Sequence, residues 1–206
     1  MLRRILLISS ILLIAWFIPW VFMLYTGVLA YFPYEANGKD RYLRITGPVV
    51  KWIDNKHPWV AADDIPNSCK AALVRQEDQR FYEHWGFDIE GIKYALRRNQ
   101  RRGKIRLGGS TITQQLVKNA FLSRDRSYVR KVRELVGAVM LDVIMSKDNQ
   151  LMWYFNVVEY GPRIYGLGAA ARYYYRKPAQ RLSAAECEAL VTVLPSPRRY
   201  GKAITR

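Results

Sequence analysis

The strongest constraint on how this chain folds is a long uncharged segment close to its N-terminus, residues 5–34. A helix needs about 20 apolar residues to cross about 30 Å of hydrocarbon, and this segment is longer than that. Arg3 and Arg4 precede the segment, which favours a cytoplasmic N-terminus. A cleaved signal peptide is the alternative, but its apolar core is usually only about 7–15 residues long. We therefore predict a cytoplasmic start and a single-pass anchor over residues 1–34, with the remaining chain outside the cytoplasm.

Positive charge is the second constraint. The sequence has a formal net charge of +16, and residues 97–133 contain twelve basic residues but one acidic residue, Asp125. Such a bias indicates an anionic partner: a membrane surface, a phosphate ligand or nucleic acid. Because the domain is predicted to lie beside a membrane, lipid phosphates and pyrophosphates fit better, and no nucleic acid partner is expected.

The hydrophobic pattern is helical once a proline-containing connector over residues 35–65 has ended. Two capping boxes, Thr111 with Gln114 and Ser183 with Glu186, mark helix starts. No segment alternates convincingly as a strand. The sequence therefore predicts a mainly α domain over residues 66–206. A long helix is expected from about residue 127 to 146, with its valines facing inward: Val129, Val132, Val136, Val139 and Val143.

The cysteines and histidines predict no metal site. Cys69 and Cys187 are too few and too far apart for a disulfide framework, and with His57 and His84 they form no zinc-ligand spacing. The simplest interpretation is that both cysteines are small core or surface residues. The sequence alone does not decide whether they pair.

The stretch "RQEDQRFYEHWGFD" is the first candidate for chemistry, because Glu77 and Asp78 are adjacent and precede an aromatic-rich turn. A carboxylate at such a helix end is a plausible partly desolvated acid or base. From this segment alone, the simpler interpretation is a solvated acidic pair balanced by Arg75 and Arg80.

The stretch "RLGGSTITQQLVKN" is the second candidate, since it concentrates hydrogen-bonding groups at the start of a helix that should be buried. A helix N-terminus offers unpaired N–H groups to an anion, and Lys118 adds a positive charge. The order of residues matches neither a serine nucleophile elbow nor a P-loop. The third candidate is "RKVRE", where Arg130 and Glu134 share a helix face at a spacing of four, an arrangement that is often only a surface ion pair.

These segments, in this order and with "PAQRLSAAECEALVTVLPSPRRY" after them, resemble the peptidoglycan glycosyltransferases of family 51. Members occur as free-standing monofunctional enzymes and as the glycan-polymerising domain of class A penicillin-binding proteins. The resemblance covers about residues 60–201. No S-x-x-K, S-D-N or K-T-G set is present, which implies the monofunctional form.

The resemblance implies a lysozyme-like, two-lobed α-helical domain that polymerises lipid II on the outer face of the cytoplasmic (inner) membrane. The 4-hydroxyl of the acceptor sugar would attack the anomeric carbon of the lipid-linked growing chain. Inversion would form the β-1,4 bond and release undecaprenyl pyrophosphate. No organic cofactor is implied, and the resemblance leaves room for a divalent cation, Mg²⁺ or Mn²⁺, and for contacts with other cell-wall synthesis proteins.

The resemblance also implies roles for individual residues. Glu77 would be the general base, and Glu134 the second carboxylate, which orders the pyrophosphate or nearby cations. Lys118, Arg126 and Arg130 would bind the pyrophosphate. The motif residues expected to line the site or hold it together are Ser110, Thr111, Gln114, Gln115 and Asn119, with Asp78, Phe81 and His84 in support.

The chain departs from the family pattern at two positions. Met152 stands where an acidic residue is usual, and Asp142 where a glutamate is usual. Both lie outside the catalytic set, so altered packing is expected rather than loss of activity.

Two other functions compete with polymerisation as interpretations of the sequence. A glycan-cleaving enzyme on the same scaffold would need an acid to protonate an alkoxide leaving group, usually with a paired carboxylate. A pyrophosphate leaving group needs cations instead, which this chain supplies. A non-enzymatic scaffold that binds anionic lipids would explain the charge and the anchor, but not Glu77 beside a T-x-x-Q-Q turn.

Overall fold

A computed structural model of the chain describes residues 59–102, 108–122 and 128–204, which all belong to a compact unit spanning Gly47–Arg206. The predicted anchor and Arg126 lie outside the described residues. Within the described ranges, no helix is both long enough and apolar enough to cross a membrane.

The described part of the chain is mainly α-helical, as predicted. Its α-helices are α1 (Asn67–Glu77), α2 (Ile89–Arg102), α3 (Ile112–Phe121), α4 (Tyr128–Ile144), α5 (Lys147–Val157), α6 (Leu167–Tyr175), α7 (Ala184–Thr192) and α8 (Pro197–Ile204). Two short 3₁₀ helices occur at Ala62–Asp64 and Ala179–Arg181. The two-lobed, lysozyme-like arrangement stays a prediction.

A small β-hairpin between α5 and α6 corrects the expectation that the chain has no strand. Strand β1 (Glu159–Gly161) pairs antiparallel with β2 (Ile164–Tyr165). The turn between them contains Arg163 with φ of 63°, a conformation that usually selects glycine or asparagine. Strands of three and two residues are too short to show an alternating pattern. An arginine is also not a residue from which a positive φ would be predicted, so the hairpin could not be predicted from the sequence.

Both predicted capping boxes are present. At the start of α3, the Gln114 N–H donates to Thr111 Oγ1 at 3.1 Å, and the Thr111 N–H donates to Gln114 Oε1 at 3.0 Å. Ser183 and Glu186 form the same reciprocal pair at the start of α7. These bonds satisfy backbone donors that a helix cannot pair internally, which is why the two helices begin where the sequence predicted.

Helix α4 corrects the prediction that its valines face inward. Val132 and Val143 are 48% and 68% exposed, whereas Glu134, Ala138 and Leu141 are buried. The helical repeat places the buried trio on the face opposite the valines. The small Ala138 is buried because the turn at Gly86 approaches the α4 backbone so closely that a Cβ at Gly86 would collide with the Ala138 carbonyl oxygen.

Residues 59–65, which the sequence assigned to the connector, pack into the domain. Val60 and Ile65 are buried. The Asn156 side chain accepts from the Val60 N–H and donates to the Val60 carbonyl, both at 2.9 Å. Trp59 lies edge-on to Trp153 with ring centroids 4.6 Å apart. These contacts attach the chain that enters the domain to helix α5.

A disulfide between Cys69 on α1 and Cys187 on α7 corrects the interpretation of the cysteines as independent small residues. Their Cα atoms lie 4.7 Å apart although the residues are 118 positions apart in the sequence. Packing of α1 against α7 brings them together, and an ion pair between Arg75 and Glu188 at 3.1 Å joins the same two helices. The spacing alone could not reveal this pairing, because it depends on tertiary packing.

The disulfide predicts a redox-dependent stability. Replacing both cysteines, as in Cys69→Ala with Cys187→Ala, should lower the free energy of unfolding by about 2–5 kcal/mol, because a cross-link over a long loop restricts the unfolded chain. Denaturant unfolding of the wild type and the double variant, each with and without dithiothreitol, checks this. Reductant should bring the wild type to the stability of the double variant and leave the double variant unchanged. A wild type that is indifferent to reductant would contradict the bond.

Candidate active site

Glu77 and Asp78 are adjacent but occupy different environments. Glu77 ends α1 and is half-buried, whereas Asp78, the next residue, is 7% exposed. Arg75 pairs with Glu188, and Arg80 pairs with Glu83 at 2.9 Å and with Asp88. The interpretation of a solvated acidic pair balanced by Arg75 and Arg80 is therefore wrong.

Asp78 connects the end of α1 to the start of α3. Its two oxygens lie 2.9 and 3.0 Å from His84 Nε2, and Oδ2 also accepts from the Ile112 N–H at 3.0 Å. A carboxylate is stabilised at a helix N-terminus by the unpaired N–H groups and the helix dipole. The first turn of α3 thus already has an anionic partner, which is supplied by the protein.

This arrangement corrects the expectation that the N-terminus of α3 offers its N–H groups to a ligand. Besides the Asp78 contact, the capping box uses Thr111 and Gln114, and each of these residues is 2% exposed. Thr111 Oγ1 also donates to the Gly86 carbonyl at 2.6 Å. Thr111 and Gln114 therefore hold the motif together, and the residues left to face a ligand are the neighbouring Ser110, Gln115, Lys118 and Asn119.

The turn after Asp78 is held by a residue that sequence reasoning missed. Lys147, at the start of α5, donates to the His84 carbonyl at 2.8 Å and lies 4.7 Å from the centre of the Phe81 ring. Its ammonium also pairs with Asp142, which shows that the shorter acid at this position still reaches a partner. Phe81 is fully buried. Phe81 and His84 thus support the turn rather than the chemistry.

Glu77 receives a hydrogen bond from the glutamine of the T-x-x-Q-Q turn. Gln115 Nε2 donates to Glu77 Oε2 at 2.8 Å, and the Tyr154 hydroxyl donates to Gln115 Oε1 at 2.9 Å. Gln115 was expected at the site, but Tyr154 was not. The sequence gives little reason to assign Tyr154 to the site, because it lies among other buried aromatic residues of helix α5 and is most simply interpreted as a core residue.

Glu134 is buried and doubly paired. It is 2% exposed, its Oε2 lies 3.1 Å from Arg130, and its Oε1 accepts from Lys131. Lys131 also donates to Ser110 Oγ at 3.1 Å, which connects α4 to the loop before α3. The shared helix face of Arg130 and Glu134 is confirmed. The pair is not on the surface, because the carboxylate is buried.

Lys118 lies in the electrostatic field of both carboxylates. Partial removal from water lowers the pKa of its ammonium, Glu134 and Glu77 act in the opposite direction, and the like charges of Lys131 and Arg130 add to the lowering. The side chain keeps contact with solvent. Asn119 follows on the same helix and is half-buried.

A cavity of about 580 Å³ opens beside Glu77 between α1, α2 and the loop that precedes α3. Residues 108–111 line one side of it, and three cationic side chains line another, namely Lys93, Arg97 and Arg98. Such a cavity has the size of a small-molecule site, and its lining combines basic side chains, with Arg80 as a fourth, and the acidic side chains of Glu77, Asp78, Asp88 and Glu90. It brings a carboxylate, hydroxyl groups and cations together.

The described residues contain no set of three or more His, Cys, Asp or Glu side chains placed to hold a metal ion. Both oxygens of Glu134 are already engaged by Arg130 and Lys131. The described residues of the site do not fit a protein-held Mg²⁺ or Mn²⁺.

The fold and the site define a helical protein that places one half-buried carboxylate beside clustered cations. Residues 46–205 match the family described as "Transglycosylase". The chain therefore belongs to the transglycosylase family.

The chain is also similar in sequence to several curated relatives. The chain is 48% identical over 150 residues to the biosynthetic peptidoglycan transglycosylase of Aromatoleum aromaticum, covering 73% of this chain and 65% of that protein. It is 50% identical over 145 residues to the protein of that name from Azoarcus sp., covering 70% of this chain and 63% of that protein. For Thiobacillus denitrificans the figures are 47% identity over 166 residues, 81% and 66%. The chain thus spans just under two thirds of the length of these relatives.

Replacing the buried Asp78 carboxylate, which connects the end of α1 to the start of α3, should destabilise the domain. Asp78→Asn keeps the shape but turns an amide N–H towards the His84 ring or the Ile112 N–H, and a buried donor without an acceptor costs about 1–3 kcal/mol. Equilibrium denaturation measures the change. The control is Glu90→Gln, the same chemical change at an exposed residue paired with Lys93, which should leave unfolding nearly unchanged. Equal effects at the two positions would contradict the structural role of Asp78.

Proposed function

We propose that the chain is a membrane-anchored peptidoglycan glycosyltransferase that polymerises lipid II into β-1,4-linked glycan strands and releases undecaprenyl pyrophosphate. The observation that carries the proposal is the placement of Glu77. In a chain of the transglycosylase family, Gln115 donates a hydrogen bond to one oxygen of Glu77, and the negative charge of Glu77 acts on the ammonium of Lys118.

Glu77 acts as the general base in this proposal. Its Oε2 accepts from Gln115, whereas Oε1 has no hydrogen-bond partner among the described residues and is available for a proton. The 4-hydroxyl of the acceptor sugar transfers its proton to Glu77 as its oxygen bonds to the anomeric carbon of the donor. The bond from that carbon to the pyrophosphate oxygen breaks on the opposite face, so the configuration inverts.

The cations stabilise the leaving group. The pyrophosphate oxygen gains negative charge as its bond to the sugar breaks, and Lys118 supplies a positive charge close to both carboxylates. Glu134 pairs with Arg130 and Lys131 and thereby offsets their repulsion of Lys118, and Lys131 also donates to Ser110. Its role in the proposal is to arrange cations. A divalent cation, if used, would be held mainly by the pyrophosphate oxygens.

The distribution of charge favours polymerisation over glycan cleavage. Cleavage of a sugar–sugar bond requires a second carboxyl group that can donate a proton to the leaving oxygen. Glu134 is buried, and both of its oxygens already accept hydrogen bonds from the cations Arg130 and Lys131. It is therefore poorly suited to donate a proton.

An extracytoplasmic location at a membrane completes the proposal. Disulfides persist in oxidising compartments, so the Cys69–Cys187 bond fits a domain outside the cytoplasm. Large exposed apolar side chains fit a domain that works at a membrane; Trp85 is 72% exposed, and Val143 on α4 is 68% exposed. The lipid-linked chain and the membrane are the proposed partners.

Removing the base should abolish polymerisation without unfolding the domain. Glu77→Gln keeps the size of the side chain but cannot accept a proton, so turnover should fall by at least about 10²-fold. The assay incubates purified full-length protein with labelled lipid II and resolves the polymer by electrophoresis. Glu188→Gln, which changes an exposed carboxylate on α7, is the matched control and should retain activity. Substantial polymer from folded Glu77→Gln protein would remove Glu77 from the mechanism.

The assignment of Lys118 predicts a particular kinetic signature. Lys118→Ala should remove about 2–4 kcal/mol of transition-state stabilisation, since the charge it opposes develops mainly in the transition state. The turnover rate should therefore fall more than the apparent KM rises. Arg101→Ala, an exposed cation on α2, should change activity slightly and in a salt-dependent way. Small, salt-sensitive effects at both positions would indicate a diffuse basic surface and would favour the anionic-lipid scaffold.

A further inference from the structure

Tyr154, a buried residue of α5, donates a hydrogen bond to Gln115, the residue that in turn donates to Glu77. We infer that Tyr154 is a positioning residue, whose hydroxyl fixes the orientation of the Gln115 amide and thereby the carboxylate of Glu77. The inference rests on the proposed role of Glu77 as general base. It adds a residue on α5 to a site whose other residues lie on α1, α2, α3, α4 and the loop that precedes α3.

The connection consists of two consecutive hydrogen bonds. The Tyr154 hydroxyl donates to Gln115 Oε1 at 2.9 Å, and Gln115 Nε2 donates to Glu77 Oε2 at 2.8 Å. Tyr154 is fully buried, Gln115 is half-buried and Glu77 is half-buried. The chain of bonds thus runs from the dry interior of the domain to the edge of the cavity.

The direction of the first bond determines the direction of the second. A phenol has one proton to donate, and the primary amide of Gln115 has an acceptor oxygen on one side and donor hydrogens on the other. When Tyr154 donates to the oxygen, the NH₂ group must face Glu77. The flipped amide would place its carbonyl oxygen against the carboxylate and lose that bond. Its NH₂ group could still donate to the phenol oxygen, but the buried phenol proton would then lose its acceptor.

Tyr154 can serve as a donor because it stays protonated. Burial raises the pKa of its hydroxyl well above the ordinary value, and the negative charge of Glu77 acts in the same direction. A buried hydroxyl also needs a partner, because an unpaired one costs free energy. The phenol therefore keeps the proton that it donates to Gln115.

A neighbouring tyrosine separates this role from ordinary packing. Tyr160, on β1, is fully buried like Tyr154, but its hydroxyl has no hydrogen-bond partner among the described residues. The two residues present the same ring and the same burial, and they differ in what the oxygen touches. Tyr160→Phe is thus a matched control for Tyr154→Phe.

The decisive experiment compares steady-state kinetics of full-length wild type, Tyr154→Phe and Tyr160→Phe with lipid II as substrate. Tyr154→Phe should lower kcat by about 10-fold or more, because a misoriented base loses part of the 10²–10⁴-fold that base catalysis contributes. Its KM should stay within about twofold of the wild type, since Tyr154 does not face the cavity. Tyr160→Phe should match the wild type in both. Rates are normalised to the folded fraction measured by circular dichroism.

A double-mutant cycle tests whether Tyr154 acts through Gln115. In the Gln115→Ala background, Tyr154→Phe should cause no further loss of kcat, because the amide that it orients is gone. Independent, multiplicative losses would overturn the inference. If Tyr154→Phe does not fold, Gln115→Asn replaces it: the amide is one methylene too short to bridge Tyr154 and Glu77, and a kcat equal to that of the wild type would overturn the inference.

Failure of this inference can be distinguished from failure of the proposed function. If Glu77→Gln is inactive while Tyr154→Phe and Tyr160→Phe both equal the wild type, Glu77 remains the base and the positioning role is lost. If Glu77→Gln polymerises lipid II, the proposed mechanism fails, and the inference fails with it.

Discussion

The site depends on the contact between the Asp78 carboxylate, the His84 ring and the first N–H of α3. This buried anion attaches the end of the helix that carries Glu77 to the start of the helix that carries Gln115. In the sequence, the two residues belong to segments that are separated by α2 and its flanking turns. Because Asp78 is buried, its charge must be matched by hydrogen bonds, and that requirement determines how the turn and α3 fit together. The bond from Gln115 to Glu77 is possible only within this geometry.

A second connection joins α4 to the same centre. The close approach of Gly86 to Ala138 packs the turn after Asp78 directly against α4. On the same helix, Glu134 pairs with Arg130 and Lys131, and Lys131 contacts Ser110 in the loop that precedes α3. The buried face of α4 is thus selected by small side chains and a paired carboxylate. Val132 and Val143 are left exposed on the opposite face, whereas Val136 and Val139 are half-buried.

Much of the local structure could be predicted from the sequence, because its signals are local. The capping boxes at Thr111 and Ser183 depend on residues three positions apart, and the helical spacing of Arg130 and Glu134 needs no tertiary information. The role of Glu77 was suggested by resemblance to a family and stays a proposal.

The tertiary features could not be read in this way. The Cys69–Cys187 pairing, the occupied N-terminus of α3 and the hydrogen bond from Tyr154 each join residues that are distant in the sequence. The valine pattern on α4 was misleading for a related reason, since periodicity identifies a stripe on a helix but not which neighbour covers it. Packing decided that question through Gly86, whose signal in the sequence is a single glycine.

The disulfide has a consequence for the order in which the domain is completed. Cys187 is synthesised 118 residues after Cys69, so the covalent tie on the helix that ends at Glu77 cannot form until α7 has left the ribosome. In an exported protein the second cysteine also meets an oxidant only after it has crossed the membrane. Until the bond forms, the helix bearing the proposed base is held by noncovalent contacts alone. Once the disulfide has formed, α1 can no longer separate from α7 unless the bond is reduced.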